Sequence, residues 1–142
     1  MHTQLGTRWE GIPTALDRLS WPSIQFGGGG APGDVDLLVL GAHAEPSFVL
    51  RLQGVEFIAA YDETVYWSLA EEPTRPQRAL NRIQNSSLLP AILKVHPSKI
   101  SAHFVLCGGD MCCEAIAYDE FAVTEFASES MARAALAERM IQ

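Results

Sequence analysis

All three cysteines of the chain fall within seven residues, Cys107-Gly108-Gly109-Asp110-Met111-Cys112-Cys113. Clustered thiols can hold a metal, exchange with a disulfide, or fill a core, and strand register decides between these. A two-residue turn at Gly109-Asp110 suits the pattern, because glycine tolerates the positive φ of hairpin turns. It sets Gly108 opposite Met111 and Cys107 opposite Cys112. Continued along the strands, it sets Val105 opposite Glu114, His103 opposite Ile116 and Ser101 opposite Tyr118, all on one mixed face. Successive strand residues point to opposite sides, so the other face carries Ala102, Phe104, Leu106, Cys113, Ala115 and Ala117 and is wholly apolar.

Cys113 is therefore expected in the core as a small hydrophobe. Cys107 and Cys112 are a candidate redox pair. The pair next to the loop-closing pair is non-hydrogen-bonded, with Cα atoms about 4.5 Å apart, near the short end of disulfide geometry. A strained bridge of this kind is labile. With a four-residue loop the two would form a hydrogen-bonded pair, and bridging would be less natural. Zinc needs four ligands. Two facing cysteines supply two, His103 lies roughly 13 Å from Cys107 at strand rise, and no CxxC or HxxxH spacing occurs. Neither a metal nor another cofactor is expected.

His103 and Glu114 are diagonal neighbours within hydrogen-bonding reach. With Ser101 and Tyr118 they make the one polar cluster that register alone assembles. It reads either as a ligand or acid–base site or as a partly exposed sheet face with ordinary cross-strand pairing. Tyr61, Tyr66 and Trp67 stand beside Asp62, Glu63, Glu71 and Glu72, which suggests a protein-binding surface or a core tryptophan with solvated turn acids. Arg75, Arg78 and Arg82 form a short basic stripe able to pair with those glutamates. Gly28-x-Gly30-x-x-Gly33 matches the spacing of a dinucleotide fingerprint, but a strand follows it where a helix should open. No GxSxG marks a nucleophilic serine.

The elements that must position these residues are mostly strands. Short runs at Ser23–Phe26, Asp34–Leu40, Ser47–Leu52, Val55–Tyr61 and Thr64–Leu69 are separated by polar breaks, and the last four read as an antiparallel meander. Pro76 with Leu80 and Ile83 predicts a helix over 76–85. Residues 88–95 read equally as a helical turn or a strand. Lys99–Cys107 and Met111–Tyr118 form the cysteine hairpin, and Phe121–Phe126 follows as an edge strand. Helices are expected over 12–20 and 128–141, with Ser128 or Ser130 as the N-cap of the second. The expected architecture is α+β: an antiparallel sheet or small β-sandwich of six to eight strands, with short flanking helices and a C-terminal helix. It forms one domain over 1–142, with an N-terminal segment ending in a glycine-rich loop at 27–33 and a sheet region over 34–126.

The 142 residues suit one ordinary domain, and 48% hydrophobic content fills its core. A net charge of −7 with ten scattered Lys and Arg argues against a nucleic-acid partner, whose affinity comes largely from basic contacts to phosphate. No run of about 18 apolar residues suggests a membrane span, and the N-terminus lacks the pattern of a signal peptide. Three clustered cysteines are not a disulfide framework, so a reducing cytoplasm is expected.

The segments Ser101-Ala102-His103-Phe104-Val105-Leu106, Glu114-Ala115-Ile116-Ala117-Tyr118-Asp119 and Phe121-Ala122-Val123, with FVLRLQGVEFIAAYDE before them, resemble small bacterial β-rich proteins. These are of the kind carried as mobile gene cassettes and as immunity-like proteins beside toxins. The resemblance covers about half the chain and contains no catalytic motif. It implies a β-rich fold with a binding role and transfers no functional residue. The expected function is non-enzymatic binding of a protein partner, favoured by an acidic surface if that partner is basic. The alternatives are a small-molecule binder with a pocket between sheet and helices, and an enzyme using His103 and Glu114 as an acid–base pair. An open sheet edge also allows a homodimer.

Overall fold

The computed structural model describes residues 6–7, 14–17, 19, 22–28, 33–42, 44–62, 80–83, 88–95, 101–119 and 122–141. Among these the fold is α+β, with two antiparallel sheets and three helices. The strands are β1 (Gly6–Thr7), β2 (Ser23–Gly28), β3 (Val35–Leu40), β4 (Ser47–Leu52), β5 (Phe57–Asp62), β6 (Leu80–Ile83), β7 (Ser101–Cys107), β8 (Met111–Tyr118) and β9 (Ala122–Phe126). The helices are α1 (Thr14–Asp17), α2 (Leu88–Val95) and α3 (Glu129–Ile141). One sheet has the order β1-β6-β7-β8-β5 and the other β2-β3-β4-β9.

The sheets pack face to face. Alternation sends Leu37 and Val39 of β3, and Phe48, Leu50 and Leu52 of β4, to the same core as Leu80, Phe104, Leu106, Cys113 and Ala115 of the other sheet. The apolar face of the cysteine hairpin is therefore half of the inter-sheet core. The outer face of the four-stranded sheet is closed by α3, whose Ala132 and Leu136 join Leu38, Leu40 and Val49 in a separate cluster. Ser128 begins this helix, its hydroxyl accepting the Met131 amide at 3.3 Å, as the cap expectation requires. The helix packs close to the bulge in β2, where a Cβ on Gly27 would fall 2.3 Å from Leu136 Cδ2.

Several expectations are corrected. The meander does not continue through β5: β4 has β3 and β9 as neighbours, and β5 crosses to the other sheet beside β8. Residues 80–83 form a strand paired with β7, not part of a helix over 76–85. Leu80 and Ile83 look helical because an i, i+3 pair shares a helix face. In a strand the same pair faces opposite ways, and here both faces of the sheet are buried. Leu80 enters the inter-sheet core and Ile83 a cluster on the outer side. Residues 88–95 are helical, with Pro90 in the first turn, where a missing N–H costs little. The strand before the glycine-rich loop runs on through Gly27 and Gly28. The strand expected at 64–69, and positions 76–79 and 84–85 of the expected helix, lie outside the described residues.

Candidate functional site

The β7–β8 ladder has the register read from the sequence. Ser101 pairs with Tyr118, His103 with Ile116, Val105 with Glu114 and Cys107 with Cys112. Gly108 N donates to Met111 O at 2.9 Å and closes a two-residue loop. The turn itself differs from expectation: positive φ is confined, among the described residues, to Gly33, Ala44 and Gly54. Gly109 and Asp110 are held instead by contacts with the start of β2. Gly109 N donates to Pro22 O at 2.9 Å. The Asp110 carboxylate accepts the Ser23 hydroxyl at 2.8 Å and the amides of Ile24 at 3.2 Å and Met111 at 2.9 Å. Gly108 is required by close approach, since a Cβ there would lie 2.4 Å from Pro22 O.

The mixed face of the hairpin is buried, which corrects the expectation of a partly exposed surface. His103 is 1% exposed and Glu114 3%, while Val105, Cys112 and Ile116 are fully covered. The expected diagonal contact forms, with His103 Nε2 lying 3.2 Å from Glu114 Oε2. Sequence reasoning missed the third member, Tyr61 of β5. β5 flanks β8 with Tyr61 opposite Cys112 and Ala59 opposite Glu114. Tyr61 therefore reaches Glu114 diagonally, and its hydroxyl donates to the Glu114 carboxylate. Burial first, then the Glu114 charge and this hydrogen bond, hold the Tyr61 hydroxyl above its ordinary 10.0. The signal that could have found it was the alternation of FIAAY, but only once β5 is placed beside β8.

The other candidates separate from this trio. Ser101 sits at the far end of β7, where its hydroxyl donates to Glu56 Oε1 at 2.8 Å. Tyr118 is 39% exposed, with its ring against Gly54. Tyr66 and Trp67 lie outside the described residues, as do Arg75 and Arg78. Arg82 pairs with Asp119 at 2.7 Å, and the glutamates at 71 and 72 lie outside the described residues. No disulfide joins the cysteines, all three of which are thiols, and among the described residues no group of three or more His, Cys, Asp or Glu could hold a metal ion. No helix among them is long and apolar enough to cross a membrane.

Cys113, facing the inter-sheet core, is fully buried. Burial, followed by the nearby Glu114 and Cys112, pushes its thiol up to about 12 from an ordinary 9.0. Between those values the unfolded chain has lost this proton and the native chain retains it. The contribution of this thiol to stability is thus fully present below about pH 9 and is lost as pH rises, by up to roughly 1.4 kcal/mol per pH unit. Tyr61 acts in the same direction above its ordinary value. Urea unfolding at pH about 8 and about 11 is expected to show this loss, and Cys113→Ala is expected to flatten most of it.

What the site can do follows from its chemistry. A buried imidazole and carboxylate, His103 and Glu114, stand beside the partly buried hydroxyl of Tyr61, a combination able either to relay a proton or to lock a sheet face in register. Comparison with protein-family models, with curated proteins and with solved structures finds no match for this chain.

Proposed function

We propose that this chain works by binding a basic protein partner, in the manner of an immunity protein against a basic toxin, and not by turning over a substrate. The observation that carries the reading is the acidic edge of the four-stranded sheet. Among the described residues β9 pairs only with β4; Glu125 on it is exposed, as is Glu129 just after it, which Arg133 of the same helix meets at 3.2 Å. No Lys or Arg occurs between Lys99 and Arg133, a stretch that holds Asp110, Glu114, Asp119, Glu120, Glu125 and Glu129. Arg51, opposite Ala122 on the neighbouring strand, is engaged by Asp36 at 3.0 and 3.3 Å. An open strand edge offers backbone groups to an added strand, and the acids select a basic one while opposing self-pairing.

The test uses two extended peptides, one alternating lysine with valine and one alternating glutamate with valine. The basic peptide is expected to slow hydrogen exchange at Ala122–Phe126, with affinity that falls as salt rises. Glu125→Lys is expected to weaken it roughly tenfold, about 1.4 kcal/mol. No protection at β9, equal protection by the acidic peptide, or protection by a second copy of the chain alone would each defeat the reading. A second reading, a small-molecule binder or acid–base enzyme, is favoured by the convergence of His103, Glu114 and Tyr61. A stoichiometric small ligand in the native mass spectrum would support it.

A further inference from the structure

We infer that Cys107 and Cys112 form a dithiol modification site that reacts reversibly with a small disulfide of the glutathione type. The inference is independent of the partner reading. It rests on three features of the hairpin. The first is register. Gly108 and Met111 are the hydrogen-bonded pair that closes the loop, so Cys107 and Cys112 are the adjacent non-hydrogen-bonded pair. At such a position the Cα atoms are about 4.5 Å apart and the side chains lie on the same face, within the range a disulfide spans.

The second feature is fixation. The turn cannot slip, because the Asp110 carboxylate and Gly109 N tie it to Ser23, Ile24 and Pro22. The register at the thiols is thereby held before any reaction begins. The third is asymmetry of access. Cys107 is partly exposed, whereas Cys112 and Cys113 are buried. Cys112 belongs with Cys107, Val105, Ile83 and Tyr61 to the cluster on the outer face, and Cys113 belongs to the core on the opposite face. Cys107 is the point of entry, Cys112 resolves, and Cys113 stays out of the exchange.

The chemistry balances in two exchanges. The Cys107 thiolate attacks glutathione disulfide, forming a mixed disulfide and releasing one glutathione thiolate. The Cys112 sulfur then attacks the Cys107 sulfur of that mixed disulfide and breaks its bond to glutathione. The proton of Cys112 leaves with the second glutathione. The protein loses two protons and two electrons, and one glutathione disulfide takes them up to become two glutathiones. Only four residues lie between the cysteines, so the bridge closes a small loop, gains little from chain entropy, and is readily reduced.

The experiment incubates the full chain with glutathione disulfide under native conditions and reads intact mass, followed by peptide mapping. The expected product is the chain less two hydrogens, with Cys107 joined to Cys112, fully reversed by dithiothreitol. Cys112→Ala is expected to stop at a stable glutathione adduct on Cys107, and Cys113→Ala to bridge as the parent chain does. A stable glutathione adduct on the parent chain, a bridge that includes Cys113, or no reaction until the chain is unfolded would each overturn the inference. The parent-chain map decides it even if a variant fails to fold.

Discussion

Glu114→Leu is expected to destabilise the fold by about 1–3 kcal/mol, the usual result of leaving a buried polar partner without its counterpart. The substitution leaves the His103 imidazole, 1% exposed, without the carboxylate 3.2 Å away. It also removes the acceptor of the Tyr61 hydroxyl. The buried imidazole then bears desolvation without compensation, while the partly buried Tyr61 loses its acceptor. The combined variant His103→Leu with Glu114→Leu removes the imidazole as well and is expected to recover part of the loss. The two effects should fail to add by about 0.5–3 kcal/mol. Urea midpoints of the parent, the two single variants and the double variant measure this directly. A cost under about 1 kcal/mol for the single change would mean that the contact contributes little to holding the sheet face.

Phe104→Ala is expected to cost more, about 3–5 kcal/mol, by a different route. The ring is fully buried at the centre of β7 and belongs to the cluster that includes Phe48, Leu50 and Leu52 of the opposite sheet. Its loss removes apolar contact from both layers and leaves a cavity that two hydrogen-bonded sheets cannot readily collapse. Because the cavity is shared, unfolding should remain a single transition with an unchanged denaturant slope and a lower midpoint. Two resolved transitions would show that the sheets unfold separately.

The parts of the fold legible in the sequence were those that local pattern fixes. In residues 101–118, strict alternation, a two-residue glycine-containing turn and a wholly apolar face together leave one register, and that register forms. The diagonal meeting of His103 and Glu114 follows from it, and so does the burial of Cys113. The C-terminal helix was legible through its cap. What local pattern cannot carry is the choice of neighbour. β5 and β9 are both short strands bounded by polar breaks, so local pattern lets either lie beside β4. Packing of whole sheets selects β9 and sends β5 to β8. Tyr61 was invisible as a partner of Glu114 for that reason alone. Leu80 and Ile83 misled in a more instructive way. A strand buried on both faces needs apolar residues at odd as well as even offsets, and over four residues that requirement imitates a helix.

The pairing of β4 with β9, and of the turn at Asp110 with Ser23 across 87 residues, has a consequence for the order of events during synthesis. The apolar rows of β3 and β4 leave the ribosome long before β9 exists to cap the edge, or α3 to cover Leu38 and Val49. Until then the nascent chain carries a partly assembled sheet with an exposed greasy surface, the state in which chains aggregate or recruit chaperones. Contacts this distant in sequence also slow folding, since the closure entropy comes before the reward. The acids between Lys99 and Arg133 emerge within the same late stretch, so the segment that completes the sheet also brings the charge that discourages association.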